Sequence, residues 1–264
     1  MTDGLRPLIV GGRPYDSPTR SPMPPPTNHL SQPIGHPLPG WTPRPFPPHT
    51  PMQGRLCRLE PLSSSHASSL FSSHSLDREG RNWTYLPYGP FASLAEYTRW
   101  VEWAEAQQDP QFFAIVDDAS GQAVGTASYL RIEPAMGVIE VGHLAFSPRL
   151  QRTPAATEAM YLMMRRAFAE LGYRRYEWKC DSLNAPSVAA AKRLGFTFEG
   201  TFRQMHVVKG RNRDTTWLSI IDGEWPAIRR ALEGWLAPEN FDAAGQQRRR
   251  LGELMAEARG GKAG

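Results

Sequence analysis

One stretch of the sequence, residues 138–172, constrains the fold more than any other. It opens with an apolar run, Val138–Phe146, passes through a short basic connection and continues with apolar residues at helical spacing. Thr153 is a typical N-cap residue, Pro154 suits a first helical position because no N–H donor is needed there, and Gly172 suits the end of a helix. The pattern predicts a buried strand that enters a capped helix through a basic turn.

This strand, turn and helix also predict a binding site for an anion. Backbone N–H groups at a helix N-terminus have no partners within the helix, and the helix dipole places partial positive charge there. Arg149 and Arg152 in the turn add positive charge. Phosphate and pyrophosphate groups bind at such positions, so we expect an anionic cofactor. The alternative is an ordinary capped helix whose two arginines are only exposed to solvent.

Composition narrows the class of protein. No apolar run approaches the length that spans a bilayer, and the N-terminus has no continuous apolar signal core, so we expect a soluble cytoplasmic protein. Cys57 and Cys180 are too few for a disulfide framework and lack metal-ligand spacing, so no metal is expected. The net charge of +4 suits an anionic small molecule as readily as nucleic acid, and no nucleic-acid-binding motif accompanies it.

The chain divides into three parts. Residues 1–53 contain 15 of the 25 prolines and few aliphatic residues, which predicts a disordered or polyproline-like arm. Residues 54–236 predict one folded domain, and residues 237–264 predict a partly helical tail. The order strand, helix, helix, three strands, helix, strand, helix, two strands predicts an α+β fold around one sheet. A partner for the proline-rich arm and a homodimer are both left open.

Three short motifs resemble the GNAT superfamily of acyl-CoA N-acyltransferases, in particular its RimJ/RimL-type branch of ribosomal-protein N-terminal acetyltransferases. They are residues 148–159 after the apolar strand, Asn184-x-x-Ser187, and Lys192-Arg193-Leu194-Gly195-Phe196 followed by Glu199-Gly200. The resemblance covers about residues 55–235. It implies a GNAT fold, with a central mixed, mostly antiparallel sheet flanked by helices and with splayed central strands. It also implies acetyl-CoA as co-substrate and an amine as acceptor.

The resemblance implies a set of acetyl-CoA-binding residues. In the family, a Q/R-x-x-G-x-G/A turn wraps the CoA pyrophosphate, and here Gln151-x-x-Pro154-x-Ala156 occupies that place with one backbone donor fewer. The expected pyrophosphate ligands are Arg149, Gln151, Arg152, Thr153 and the N–H groups of Ala155 and Ala156. The pantetheine arm is expected to pair with the backbone of Leu144, Ala145 and Phe146 and to contact Asn184 and Ser187. The residues alone equally favour Asn184 as a helix N-cap.

Acetylation of an amine requires a base for the ammonium, stabilisation of the oxyanion and an acid for the departing thiolate. Glu140 is our preferred base, acting directly or through water, because burial in an apolar strand would raise its pKa. The alternative is a solvent-facing charge. His143 is the second candidate base if a bulge, typical of the family, turns it; otherwise it is structural. Ser187 or a water is the candidate acid, because Ala191 stands where many relatives carry tyrosine.

The acceptor site is expected between the loop that joins the first two helices and the last hairpin. Tyr85 and Tyr88 are candidates to line it, and aromatic packing beneath the loop is the alternative. The main functional hypothesis is an acetyl-CoA-dependent N-acetyltransferase that acts on a primary amine, either a protein N-terminus or a small molecule, by direct attack. The alternative is a non-catalytic acyl-CoA-binding or partner-binding protein that uses the proline-rich arm.

Overall fold

The computed structural model describes residues 24–260. The parts of the arm and tail predictions that concern residues 1–23 and 261–264 lie outside the described residues. The chain divides into two units, Met1–Trp41 and Thr42–Gly264. Within residues 24–41 the first unit contains turns and one isolated antiparallel bridge, between Thr27 and Pro33.

The second unit alternates strands and helices much as the sequence predicts. Its strands are β1 (Met52–Gln53), β2 (Cys57–Pro61), β3 (Gln111–Asp117), β4 (Ala123–Glu133), β5 (Val138–Phe146), β6 (Arg175–Asp181), β7 (Thr197–Val208) and β8 (Arg211–Ile221). Its α-helices are α1 (Ala67–His74), α2 (Leu94–Glu105), α3 (Pro154–Arg165), α4 (Ala185–Arg193), α5 (Trp225–Leu236) and α6 (Leu251–Ala258). One π-helical turn, Arg166–Glu170, extends α3 towards the predicted end of that helix.

The strands form one sheet in the order β1-β2-β3-β4-β5-β6-β8-β7. Neighbouring strands are antiparallel except β5 and β6, which run parallel. This parallel pairing extends only from Val138 opposite Arg175 to Val141 opposite Trp178, and the two strands then separate. The predicted mixed, mostly antiparallel sheet with splayed central strands is therefore confirmed.

Side chains alternate along the central strands, so both faces of the sheet contribute to an apolar core. Ile139 and Val141 of β5 belong to the apolar core beneath α3 and α5. A second, smaller core lies beneath α1 and α2 and includes Phe112 and Tyr97. Because successive side chains of a strand point to opposite faces, Glu140 lies on the face that carries α1 and α2. We call this face the acceptor face.

Residues 42–53, which composition assigned to a disordered arm, instead belong to the folded unit. The guanidinium of Arg166 donates hydrogen bonds to the carbonyls of Thr50 and Pro51 at 2.6 and 2.8 Å. The Tyr173 hydroxyl donates to the Pro45 carbonyl at 3.1 Å. Proline lacks an N–H but keeps its carbonyl acceptor, so donors from distant parts of the chain order this segment. The boundary predicted at residues 53 and 54 is therefore wrong.

The C-terminal tail also packs on the folded unit. Leu251 and Met255 of α6 are buried in the same core as α5. The Trp235 indole N–H donates to the Gln247 side chain at 2.8 Å, and the Asn240 amide donates to the Trp235 carbonyl at 3.0 Å. Within the described residues, the tail therefore forms a packed extension of α5.

We predict that Arg166→Gln loosens residues 42–53. The substitution removes charge-assisted hydrogen bonds to backbone carbonyls, so the free energy of unfolding should fall by about 3 kcal/mol. Urea unfolding and limited proteolysis within residues 42–53 measure the effect. Arg165→Gln is the matched control, because its side chain is 35% exposed and its partners, Glu170 at 3.4 Å and the ring of Tyr161, lie outside residues 42–53. Equal effects of the two substitutions would contradict the proposed anchoring.

We also predict that His74 makes the fold acid-sensitive. Its ring packs on Trp83 with centroids 5.0 Å apart, and neither ring nitrogen has a hydrogen-bond partner among residues 24–260. Burial lowers the pKa of His74 to about 4. The unfolded chain binds this proton near pH 6.5, so stability should fall as the pH drops from 6.5 to 4.

Replacing His74 with phenylalanine should reduce the slope of unfolding free energy against pH in that window. The expected change is one bound proton, or about 1.4 kcal/mol per pH unit. Chemical unfolding at a series of pH values gives both slopes. His36→Gln, at an exposed position, should leave the slope as it is in the wild type. An unchanged slope in His74→Phe would refute the assignment.

Candidate active site

The divergence of β5 and β6 creates a cleft at the centre of the sheet. Residues 142–146 of β5 line one wall, because their pairing with β6 stops at Val141. The end of β6 pairs only with β8 and lines the other wall, next to the N-terminus of α4. An extended molecule can therefore enter the sheet here and use the edge of β5 that β6 leaves open.

A bulge in β5 turns His143 onto the acceptor face, as the resemblance implied. The register shifts between Thr126 opposite Ala145 and Ser128 opposite Gly142, and the φ angle of His143 is 50°. The ring of His143 stacks on Tyr88 at 5.6 Å and contacts Phe112 at 5.1 Å. Burial, aided by nearby arginines, lowers the pKa of His143 to about 4. The imidazole is therefore neutral at pH 7.

Glu140 is buried, in contrast to the solvent-facing alternative. Its two carboxylate oxygens accept hydrogen bonds from Arg131 Nη1 at 2.8 and 2.9 Å, and Lys179 Nζ lies 2.8 Å from Oε2. Burial raises the pKa of Glu140, and the charges of Lys179 and Arg131 oppose that rise. Lys179 also contacts Glu177 at 2.8 Å. The carboxylate thus belongs to a buried network of alternating charges.

The N-terminus of α3 has the predicted cap and one fewer free donor than expected. Thr153 Oγ1 donates to the Leu150 carbonyl at 2.7 Å and accepts from the Ala156 N–H at 3.3 Å. The cap therefore already uses the Ala156 N–H that was expected to donate to phosphate, and that role stays a prediction. The Ala155 N–H has no acceptor among the described residues. Together with the exposed Arg149 and Arg152, it fits a diphosphate.

Gln151 does not point freely towards the helix N-terminus. Its amide donates to the Phe146 carbonyl at 2.8 Å and to Asn82 Oδ1 at 2.7 Å, and Asn82 donates to the same carbonyl at 3.1 Å. The expected role of Gln151 as a pyrophosphate ligand is therefore not supported by this geometry. Protein donors thus already occupy the Phe146 carbonyl, and the pairing of pantetheine with Leu144 and Ala145 stays a prediction. Sequence patterns gave no indication of Asn82.

Asn184 and Ser187 lie together at the wall formed by β6 and α4. Asn184 Oδ1 accepts from the Ser187 N–H at 3.2 Å, so Asn184 is the N-cap of α4. The Ser187 hydroxyl accepts from the Trp178 indole N–H at 3.0 Å. Burial raises the pKa of the Cys180 thiol, and the nearby Ser187 opposes that rise. The Ser187 hydroxyl therefore lies at the wall of the cleft where the thiolate of CoA is expected to leave.

The loop of residues 81–91 covers the cleft on the acceptor face, and we call it the roof loop. The Tyr85 hydroxyl donates to the Leu183 carbonyl at 3.1 Å, beside α4. Lys209, at the tip of the β7–β8 hairpin, donates to the Trp83 and Gly89 carbonyls at 2.8 and 2.7 Å. The roof loop and the last hairpin therefore meet, as expected for an acceptor site.

Tyr88 occupies the aromatic packing position that was the alternative to substrate binding. Its ring lies 4.6 Å from that of Trp100 and stacks on His143. Its hydroxyl is buried without a hydrogen-bond partner in residues 24–260. Burial raises the pKa of Tyr88 well above its usual value. The ring therefore supports His143 from behind instead of lining an open pocket.

Across residues 24–260, no group of three or more His, Cys, Asp or Glu side chains is arranged to hold a metal ion. Among the helices of the same residues, none has the length and hydropathy needed to cross a bilayer. Cys57 and Cys180 are both unpaired and buried.

Comparisons with known proteins agree with this geometry. The sequence model of the acetyltransferase (GNAT) domain matches residues 56–197. The solved structure of a GCN5-related N-acetyltransferase from Brucella melitensis is 50% identical, covers 83% of this chain and 99% of its own, and has a TM-score of 0.81. A probable GNAT-family acetyltransferase from Chromobacterium violaceum is 44% identical, covers 74% of this chain and 98% of its own, and has a TM-score of 0.68.

A curated relative, the uncharacterized N-acetyltransferase p20 of Bacillus licheniformis, is 26% identical over 113 residues, which are 43% of this chain and 63% of that protein. This chain therefore matches less than two thirds of the curated relative. The domain match spans more than half of the chain, and the chain belongs to the GNAT acetyltransferase family. Enzymes of this family take their acetyl group from acetyl-CoA. The RimJ/RimL branch stays a prediction.

We predict that Arg152→Ala weakens the binding of CoA. The loss should be about 1.5–3 kcal/mol at most, which is the value of one charge-assisted hydrogen bond. Titration calorimetry with CoA and with 3′-dephospho-CoA separates the pyrophosphate from the 3′-phosphate, because only a pyrophosphate contact is lost equally for both ligands. Arg229→Ala is the control, since Arg229 lies on α5 and pairs with Glu233. An unchanged dissociation constant would argue against the anion site.

Proposed function

We propose that this protein transfers an acetyl group from acetyl-CoA to a primary amine by direct attack of the amine on the thioester. The observation that carries the proposal is the cleft between β5 and β6. One end of it adjoins the N-terminus of α3, which suits an anionic donor, and its acceptor face carries titratable side chains beneath the roof loop. Acetyl-CoA supplies the acetyl group as a thioester, and residues of the chain bind, orient and move protons.

Direct attack is favoured over an acyl-cysteine intermediate. Burial raises the pKa of both Cys57 and Cys180, and a thiol needs ionisation to act as a nucleophile. Neither thiol is therefore prepared for covalent catalysis. The amine must instead lose its proton and attack the thioester itself.

We assign the removal of that proton to Glu140, through a water molecule. Its carboxylate lies on the acceptor face, burial raises its pKa, and the adjacent cations Arg131 and Lys179 oppose that rise. His143 is the second candidate, since it is neutral and lies on the same face, although its low pKa makes it a weaker base. Ser187 is assigned as the donor to the departing thiolate, because its oxygen accepts from Trp178 and its one proton, which acts on Cys180 in this structure, is the proton it can donate.

One observation favours the non-catalytic alternative. Both oxygens of Glu140 already accept hydrogen bonds from protein cations, as they would if this residue served only the stability of the sheet. Release of free thiol from acetyl-CoA, measured against a panel of primary amines and peptides with free N-termini, decides between the functions. Saturable CoA binding without thiol release for any amine would favour the alternative. The panel also tests whether this chain prefers protein N-termini, as its proposed assignment to the RimJ/RimL branch implies. Cytoplasmic location stays a prediction.

We predict that Glu140→Gln lowers kcat by about 10²–10⁴-fold, as expected for the loss of a general base. The affinity for acetyl-CoA should change little. Glu177→Gln is the matched control, because Glu177 contacts Lys179 at the same distance, 2.8 Å, but is assigned no proton transfer. Steady-state kinetics across pH measure both variants. If the two substitutions lower kcat equally, Glu140 acts only by holding Lys179.

A further inference from the structure

Arg213, on β8, carries a positive charge that no carboxylate in the described chain neutralises. Its Nε–H is buried and has no hydrogen-bond acceptor within residues 24–260. None of the ion pairs formed by these residues includes Arg213. The side chain as a whole is only half-buried, but a buried N–H donor without an acceptor is unfavourable. Such a group is expected where a ligand supplies the missing partner.

Strand alternation places the Arg213 side chain on the same face of β8 as Trp217, whose ring centre lies 3.8 Å from the Lys179 ammonium of the Glu140 network. The electrostatic influence of Arg213 agrees with this position. Its charge helps to lower the pKa of His143, on β5, after burial and Arg131. It also helps to lower the pKa of His206, the residue opposite it on β7, and opposes the rise that burial causes at Cys180, on β6. His143 and Cys180 lie on the two strands that form the walls of the cleft, and His206 lies on β7, beyond β8. Arg213 therefore acts on the cleft itself and not on the outer surface of the hairpin.

The neighbouring basic side chains differ from Arg213 because the protein already satisfies them. Arg131 and Lys179 pair with Glu140, and Lys179 also pairs with Glu177. Lys209 donates to carbonyls of the roof loop.

The two acidic residues close to Arg213 in sequence or in the sheet are also engaged. Asp214 accepts from the Gln204 N–H at 2.8 Å and from Asn212 at 2.9 Å. Asp181 accepts from the Leu183 N–H at 2.9 Å. Neither carboxylate forms an ion pair with Arg213, so an external anion is the partner that fits.

We propose that Arg213 binds an anionic group of the acceptor, so that the preferred acceptors are primary amines that also carry a carboxylate or a phosphate. A guanidinium offers a planar pair of N–H donors that matches both groups. The pyrophosphate of the acetyl donor is expected at the opposite end of the cleft, beside Thr153. This inference rests on the proposed acetyltransferase function and specifies its substrate class.

The test compares matched pairs of amines that differ only in the anion. Phenylalanine is paired with phenylalaninamide, and phosphoethanolamine with ethanolamine, in a thiol-release assay with acetyl-CoA. Each kcat/KM ratio of anionic to neutral amine is measured for the wild type, Arg213→Gln, Arg213→Lys and Arg203→Gln. Comparing ratios between enzymes cancels the intrinsic difference in amine reactivity. Arg203 is an exposed arginine of the same hairpin and serves as the control.

We expect Arg213→Gln to lower the anionic-to-neutral ratio by about 10- to 100-fold, the effect of one charge-assisted hydrogen bond. Arg213→Lys should lower it less, because the charge remains. The Arg203→Gln ratio should match that of the wild type. The pair whose ratio falls identifies the anion as carboxylate or phosphate. Thermal unfolding of each variant checks that the fold is intact, and Arg213→Lys carries the test if the glutamine variant does not fold.

Other outcomes would overturn the inference. If the wild type and all three variants have the same anionic-to-neutral ratio, Arg213 does not recognise an anion on the acceptor. An equal loss of kcat/KM for anionic and neutral amines in Arg213→Gln would assign Arg213 to the transfer step and leave the acetyltransferase function standing. Absence of thiol release with every amine would remove the proposed function, and this inference with it.

Discussion

The early separation of β5 and β6 is the constraint on which the site depends. Beyond Val141 and Trp178 the two strands no longer pair, and unpaired backbone groups in a protein interior need other partners. The bulge at His143 and the absence of a side chain at Gly142 accompany the separation. A Cβ atom at Gly142 would approach Leu130 Cδ2 to 2.9 Å, so a larger residue there would disturb the wall of the cleft. The cleft is therefore a property of backbone pairing before it is one of side-chain chemistry.

A buried row of charged side chains holds β5 and β6 together where the two strands still pair. Glu140 lies opposite Glu177 across the parallel pair, and Lys179 bridges the two carboxylates. The Lys179 ammonium also lies 3.8 Å from the centre of the Trp217 ring, which extends the contact to β8. Removing one member of such a network leaves an uncompensated buried charge, which costs more than the pair contributes. The row thus stabilises the junction from which β5 and β6 diverge, and it fixes the position of Glu140 as a consequence.

Features encoded within a few residues were predictable from the sequence, and features that need distant partners were not. The strand Val138–Phe146, the Thr153 cap and the Asn184 cap follow from local patterns, and the structure contains all three. The order of residues 42–53 depends on Arg166, more than 110 residues away. Likewise, the side chain of Gln151 is held by Asn82, 69 residues away. Periodicity and capping rules describe neighbours along the chain, so they carry no information on these contacts.

The roof loop has a wider consequence for how such proteins diversify. It is attached to the tip of the β7–β8 hairpin by Lys209 and to the segment before α4 by Tyr85, whereas the helix N-terminus that suits the acetyl donor is formed within one continuous segment. Changes in the loop or hairpin can therefore reshape one half of the reaction chamber while the other half is inherited intact. Two descendants of the same ancestor can keep the same activated acetyl donor and modify unrelated molecules.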